Sequence, residues 1–226
     1  KPEYAYNLDM GINFKSLNNL NHVSFRTFAT VISRHIVRDD FIIFSDTTTA
    51  DESTILYNGE EVSTIANKNL GNRFIHGFSI DGFSYFSKSL KLTGSISYVK
   101  GDENETYGPM PSISPIFGTI SGEYSKNKFK VSALYKFSGD KSPGDYSLGG
   151  EDGLEETPEI IESNGLIKYT GTPKWSDFSI YTNYDISQDV KVRLALTNIF
   201  DNHYRSFASG ISAPGRSFQI GLYLKL

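Results

Sequence analysis

The chain reads as all-β: an antiparallel transmembrane β-barrel segment of about nine strands. Three observations predict this. Apolar and polar residues alternate in long runs, from YAYNLDMGINFK near the start to SFQIGLYLKL at the end, and period two is the spacing of residues on one face of a strand. The connections alternate between tight polar turns and long loops, as in outer-membrane barrels, whereas a sandwich mixes the two at both ends. Most runs hold ~9 to 13 residues, enough for a tilted strand to cross a bilayer, where a soluble strand averages ~5 to 6.

The first strand sets Tyr4, Tyr6, Leu8, Met10, Ile12 and Phe14 against Asn7, Asp9, Gly11, Asn13 and Lys15. A second, less regular, runs from about His22 to Ile43, with Val23, Phe25, Thr27, Ala29 and Val31 on one face. The third covers about Asn72 to Phe86, and the fourth sets Leu90, Leu92, Gly94, Ile96 and Tyr98 against Lys91, Thr93, Ser95 and Ser97. Gly118 to Tyr124 is the fifth, and Phe129 to Ser138 the sixth. Phe178, Ile180, Thr182, Tyr184 and Ile186 mark the seventh. Val190, Val192, Leu194 and Leu196 mark the eighth, and Phe218, Ile220, Leu222, Leu224 and Leu226 the ninth. SLNNLN, SKS, SKNK and SQD turn alternate pairs. Between them lie loops of about Ser45 to Gly71, Lys100 to Ser114, Gly139 to Lys174 and Ser206 to Arg216, which leaves the C-terminus on the turn side.

One face of these strands is Leu, Val, Ile and Phe, suited to hydrocarbon, with Tyr and Phe near strand ends as interfacial girdles. The other carries Asp9, Lys15, Lys91, Lys130, Lys136, Asp177, Lys191 and Arg193, suited to a wet lumen. A soluble sandwich or a lipocalin-like barrel, with the apolar face as its core, is the other arrangement open to the alternation alone.

Composition narrows the functions. The 226 residues include 14 Tyr and 16 Phe but 2 Met, and the net charge is -4. Without a basic stripe to neutralise phosphates, nucleic acid is not an expected partner. The absence of Cys removes disulfides, thiolate metal sites and a catalytic thiol. The four His residues lack ligand spacing, so neither cofactor nor metal centre is expected. Mean hydropathy is -0.33 and no run approaches the ~18 apolar residues of a membrane helix, which a β-barrel does not need. The sequence has no GxSxG, P-loop or HExxH, and the chain is not read as an enzyme. It opens on KPEYAYN without a signal peptide and enters its first strand at once, as a piece of a longer or processed chain does.

The segment VKVRLALTNIFDNHYRSFASGISAPGRSFQIGLYLKL, residues 190–226, resembles the C-terminal signature of TonB-dependent outer-membrane receptors. Asn198, Phe200, Asp201 and Tyr204 match the N-(L/I)-F-D-x-x-Y element, and Pro214, Gly215 and Arg216 the P-G-R that follows. Gln219, Gly221, Leu224 and Leu226 resemble the signal read by the barrel-assembly machinery, although the family usually ends in Phe. KPE at Lys1 to Glu3 resembles the tail of an N-P-x-L-K-P-E stretch ahead of a mid-barrel strand.

The resemblance implies a 22-stranded barrel around an N-terminal plug, of which residues 1–226 are the C-terminal portion, without the plug and the earlier strands. Nine strands cannot close, and an open edge in lipid strands its backbone groups, so the rest of the barrel and the plug are expected partners. It further implies an integral protein of the bacterial outer membrane, in contact with outer-membrane lipid and coupled to TonB through the missing N-terminal part, importing a scarce nutrient. Iron–siderophore or haem is the favoured cargo; cobalamin, oligosaccharide and peptide stay open. The alternative is a passive porin or adhesin-type barrel. A surface lipoprotein capping the loops is a further candidate partner.

Candidate substrate contacts lie in the loops: Tyr107, Met110, Tyr146 and His203, with Tyr57 and Tyr169 as further aromatics. His203 is placed as an axial haem ligand could be, although a lone rim His is more often a plain surface residue. Asn198 and Asp201 are expected to cap a turn, and Arg216 to pair with a carboxylate. The stretch Gly139 to Thr172 carries Asp140, Asp145, Glu151, Asp152, Glu155, Glu156, Glu159 and Glu162 against Lys141 and Lys168. It reads as a solvated, glycine-rich mobile lid; calcium chelation is the sharper option, without EF-hand spacing to support it.

Overall fold

The computed structural model describes residues 1–41, 54–69, 71–104, 108–147 and 152–225. In chain order, β1 (Tyr4–Lys15) and β2 (Asn21–Ser33) form a hairpin. β3 (Ile36–Asp40), β4 (Thr54–Tyr57), β5 (Glu60–Ser63) and β6 (Ile65–Asn69) fill the first long connection. β7 (Arg73–Tyr85) and β8 (Leu90–Gly101) follow, then the short β9 (Glu103–Asn104) and β10 (Gly108–Pro109), then β11 (Phe117–Lys126) and β12 (Phe129–Ser138). β13 (Glu159–Ile161) and β14 (Ile167–Tyr169) make a ribbon in the third loop, before β15 (Trp175–Asp185), β16 (Val190–Thr197) and β17 (Ser217–Leu224). Among the described residues the only helical turns are two 3-10 turns, Pro143–Asp145 and Leu154–Glu156.

The long strands build one nine-stranded sheet in the order β1-β2-β7-β8-β11-β12-β15-β16-β17. Every pair is antiparallel and joined in chain order, the up-and-down winding of a barrel wall. The register aligns side chains into continuous rows. Ile12, Phe25, Ile80, Ile96, Gly118 and Phe137 lie in one row on the apolar face. Asn13, Ser24, Asp81, Ser95, Thr119, Lys136 and Asp177 form the adjacent row on the other. Over all nine strands no residue crosses faces, because a period of two ties each side chain to its register. The apolar side chains stay open, with Leu8 at 61% and Ile220 at 69% exposure. The wall therefore has no core beneath that face, as a lipid-facing surface requires.

The tight turns have local causes. Ser87 Oγ accepts the amides of Ser89 and Leu90, and Ser187 Oγ repeats the pattern with Asp189 and Val190, so a hydroxyl reinforces the backbone turn. Asn19 and Asn127 take φ of 56° and 54° in the other two turns, a region where Asn is tolerated better than most residues. Gly82 is needed where the backbones crowd, since a Cβ there would lie 2.4 Å from the His22 carbonyl.

Three expectations change. The second strand stops at Ser33 rather than near Ile43, because Arg34 adopts a left-handed φ of 58°. The chain resumes as β3, which pairs with β6 away from the wall. The connections expected as open loops therefore contain ribbons, β3 with β6, β4 with β5, β9 with β10 and β13 with β14. Ile186 sits in a turn and not in the seventh strand. Leu226 lies outside the described residues.

Candidate functional site

The charged residues predicted for a lumen share one face by register, and half of them form ion pairs across strands. Lys130 meets Glu123 at 2.7 Å, Lys191 meets Asp185 at 3.2 Å and Lys136 meets Asp177 at 3.6 Å. Lys91 lies over the rings of Phe83 and Tyr85, at 4.8 and 5.4 Å from their centroids, and Arg193 lies 6.0 Å from that of Tyr181. Asp9 accepts from Asn7, and Lys15 ends β1 beside His22. Apart from the buried Asp177 these groups are at least partly solvated, so the ion pairs contribute little stability and chiefly shape a polar surface.

At the loop end the wall is capped by buried polar anchors. The Arg73 side chain, 3% exposed, donates to Asp102 Oδ1 at 2.8 Å and to the carbonyls of Asp102 and Gly108. It thereby ties the 102–116 connection to β7. Met110 packs against Gly101, where a Cβ would come within 2.4 Å of the methionine.

A second anchor joins three connections. Lys141 Nζ donates to Asp152 Oδ2 at 2.9 Å and to the Ile113 carbonyl at 2.8 Å, while Asp152 Oδ1 accepts the Ser112 amide at 2.7 Å. The ammonium also lies 4.0 Å from the Phe207 ring centroid and 5.0 Å from that of Tyr146. Lys141 and Asp152 are 4% and 3% exposed. A buried pair of this kind persists only where hydrogen bonds satisfy both ions, and here each ion has at least one more.

These contacts correct the loop reading. Asp152 is not a solvated carboxylate, and the 139–174 connection is pinned rather than a free lid. Met110 and Tyr146, at 6% and 3% exposure, pack inside the cap, because both sit under neighbouring connections. Tyr146 gives its hydroxyl to a bond with Thr172 at 2.6 Å, and burial pushes its pKa above the usual tyrosine value. Tyr146 presents no ring face to solvent, and Met110 only borders a smaller cleft beside Pro109 and Ile113. Tyr107, Gly149, Gly150 and Glu151 lie outside the described residues. Among the described residues no three His, Asp or Glu side chains gather as a metal site.

The signature residues organise the top of β15 to β17. Asn198, 2% exposed, takes φ 48°; its Nδ2 donates to the carbonyls of Asn202 and Pro214, and its Oδ1 accepts the Asn202 amide. Asp201 Oδ1 accepts the Arg216 amide at 2.7 Å, and its other oxygen lies 4.0 Å from the Arg216 guanidinium. Tyr204 stacks on Trp175 with centroids 4.2 Å apart and donates to Asp177 at 3.0 Å. Burial, then the Asp177 carboxylate, pushes the Tyr204 pKa up to about 12. Phe200 stacks on Phe178 on the apolar side.

A cavity of about 330 Å³ opens between the 139–174 and 198–216 connections, lined by Glu156, Glu159, Lys174, Trp175, His203 and Arg205 among others. His203 thus borders open space, and of the further loop aromatics Tyr57 is 62% exposed. Sequence reading missed Arg73, Lys141, Asp152 and Trp175 as a set. Only the isolated Trp, the single one in the chain, was a signal to follow.

A profile of the family described as "TonB dependent receptor-like, beta-barrel" matches residues 1–199. The chain belongs to the TonB-dependent receptor family. Solved structures agree on the fold. The copper transporter OprC superimposes with a TM-score of 0.69 at 15% identity, covering 99% of this chain and 31% of that one. The siderophore receptor PirA from Acinetobacter baumannii gives 0.68 at 20% identity, over 99% and 32%. The FrpB iron transporter from Neisseria meningitidis gives 0.65 at 13% identity, over 98% and 31%. The chain thus spans about a third of the length of these proteins. No curated protein matches it in sequence. As in other TonB-dependent receptor barrels, the nine strands are antiparallel wall, and the family consists of outer-membrane transporters and receptors, not enzymes.

Proposed function

We propose that these nine strands are the C-terminal wall of an active importer that takes up a scarce nutrient, an iron–siderophore complex or haem, with energy from TonB. The observation that carries this is the unbroken division of the wall into an apolar face and a charged, ion-paired face. A porin needs a wet face too, but the buried anchors at Arg73 and Lys141 make the loop end a shaped cap. On this reading Asp9, Lys15, Lys130, Lys136, Lys191 and Arg193 face the lumen and the plug, and the last strand carries the assembly signal. Relatives named as siderophore receptors or iron transporters support the cargo class.

One observation favours a second cargo. The connections 34–72, 102–116, 139–174 and 198–216 together carry eight Lys and Arg against nineteen Asp and Glu. Such a surface repels anions over roughly a Debye length, ~8 to 10 Å at physiological salt. A neutral or cationic metal complex meets no such barrier, and one solved relative is named as a copper transporter.

A surface lipoprotein would find apolar contact area on the β13–β14 ribbon, where Ile160, Ile161, Leu166 and Ile167 are all more than half exposed.

The test is uptake by the full-length receptor in cells with and without TonB, using radiolabelled ferric siderophores, haem and a free divalent metal in parallel. Loss of uptake without TonB is expected for one of the three. Uptake that persists undiminished would identify a passive barrel instead.

A further inference from the structure

We propose that the outer face of the wall, at the loop end of β12 and β15, holds an anionic lipid of the surrounding leaflet, one whose phosphate head carries net negative charge. This rests on the membrane-wall reading above. A cleft of about 600 Å³ opens there, lined among others by Ile116, Tyr135, Phe137, Lys174, Asn202 and His203. Tyr135, Phe137 and Ser176 belong to the apolar face by register. Ile116 and Lys174 continue the same columns just beyond the strands, and the Gly139 amide extends the ladder to the Ile116 carbonyl at 2.7 Å. The cleft is therefore continuous with the lipid-facing band below it.

Lys174 and His203 line it and no carboxylate does, while both also border the neighbouring cavity that Glu156 and Glu159 line. Neither side chain makes a hydrogen bond or ion pair among the described residues. Lys100, on the same face at the same end, behaves differently and sits 3.9 Å from Glu103. The segment carrying His203 is held to the wall by Asn202, whose Nδ2 donates to the Ser176 carbonyl at 2.9 Å.

Below these polar groups the surface is aromatic. Tyr135 and Phe137 stack with centroids 6.0 Å apart, as do Phe178 and Phe200, the latter 69% exposed. An unpaired ammonium and imidazole above two aromatic walls match an amphiphile with an anionic head: phosphate on Lys174 and His203, acyl chain against the rings. A free anion has no use for the walls, and a neutral lipid none for the donors. Basic residues at a membrane surface attract anionic headgroups in the same way.

The experiment uses the intact receptor in nanodiscs of phosphatidylcholine alone, with added diphosphorylated lipid A, or with its dephosphorylated form. Lipid retained per barrel is read by native mass spectrometry. The wild type is expected to retain the phosphorylated lipid selectively. Lys174→Ala/His203→Ala should lower that retention about tenfold, while Lys100→Ala leaves it unchanged. Lys174→Arg, which keeps the charge, should retain it, and Lys174→Gln alone gives the answer if the double variant does not insert. Equal retention of both lipid forms, or retention indifferent to Lys174, would overturn the assignment. So would millimolar inorganic phosphate displacing the lipid, which would mark a free-anion site. Heat-modifiable mobility on gels separates the two levels. A wild type that lacks it sinks the membrane-wall reading, whereas an inserted barrel with unselective lipid sinks only this site.

Discussion

Replacing Lys141 by Met should release the three connections it joins while leaving the wall intact. The substitution keeps the stem but removes the ammonium 2.9 Å from a carboxylate that is 3% exposed. An unpaired buried charge costs about 3–5 kcal/mol, and the Ile113 carbonyl, stripped of its donor, adds about 1–3 kcal/mol. Asp152 keeps the Ser112 amide, which limits the total to about 3 kcal/mol in local opening. Hydrogen exchange of the intact receptor reads this directly at Thr172, whose amide donates to the Lys141 carbonyl at 3.0 Å. Its exchange should accelerate more than about a hundredfold, with the β11–β12 ladder unchanged. Adding Asp152→Asn removes the stranded charge and should recover about 2 kcal/mol or more. Unchanged exchange in the single variant, or a double variant no better than the single, would refute the idea that charge pairing holds the cap.

Facing predictions on neighbouring residues separate the two sides of β17. Ile220→Arg should cost about 2–4 kcal/mol in urea unfolding from lipid, whereas Gln219→Arg, on the polar side, should cost almost nothing. Asn198→Ala strips three hydrogen bonds from a buried turn. It should destabilise the 198–216 connection by about 1–3 kcal/mol, seen as proteolysis near Arg205 in otherwise folded receptor. Tyr204 is held neutral by burial and Asp177, so its folded pKa, about 12, lies above the unfolded value. That contribution is complete below pH ~10 and fades as pH rises toward the folded pKa. Absorbance titration should show two late-ionising tyrosines, Tyr146 and Tyr204, of which Tyr204→Phe removes one.

The wall was legible because each strand residue answers a binary question, and the answer repeats every second position. Leu92 against Lys91, or Val192 against Arg193, needs no distant partner to be read. The family signature was legible for a related reason, since Asn198, Asp201 and Arg216 act within one connection. The cap was not legible. Lys141 and Asp152 meet only after a 3-10 turn, and their burial depends on Phe207, far along the chain. Sequence composition weighed all eight carboxylates of that loop alike, yet among the described ones only Asp152 meets a buried lysine. Likewise nothing short of coordinates shows that Arg34 turns left-handed and diverts β3 from the wall.

The alternation that builds the wall also acts as a reading frame for insertions and deletions. Removing Leu90 would send every later side chain of β8 to the opposite face. Lys91 and Thr93 positions would then press into hydrocarbon, and the ladders with β7 and β11 would have to slip in step. Changes of length are thus confined to the ribbons and loops at one end. That end can be remodelled for new ligands, or tagged for detection around Asn58 and Gly59, while the strands below tolerate substitution but not a shift in phase.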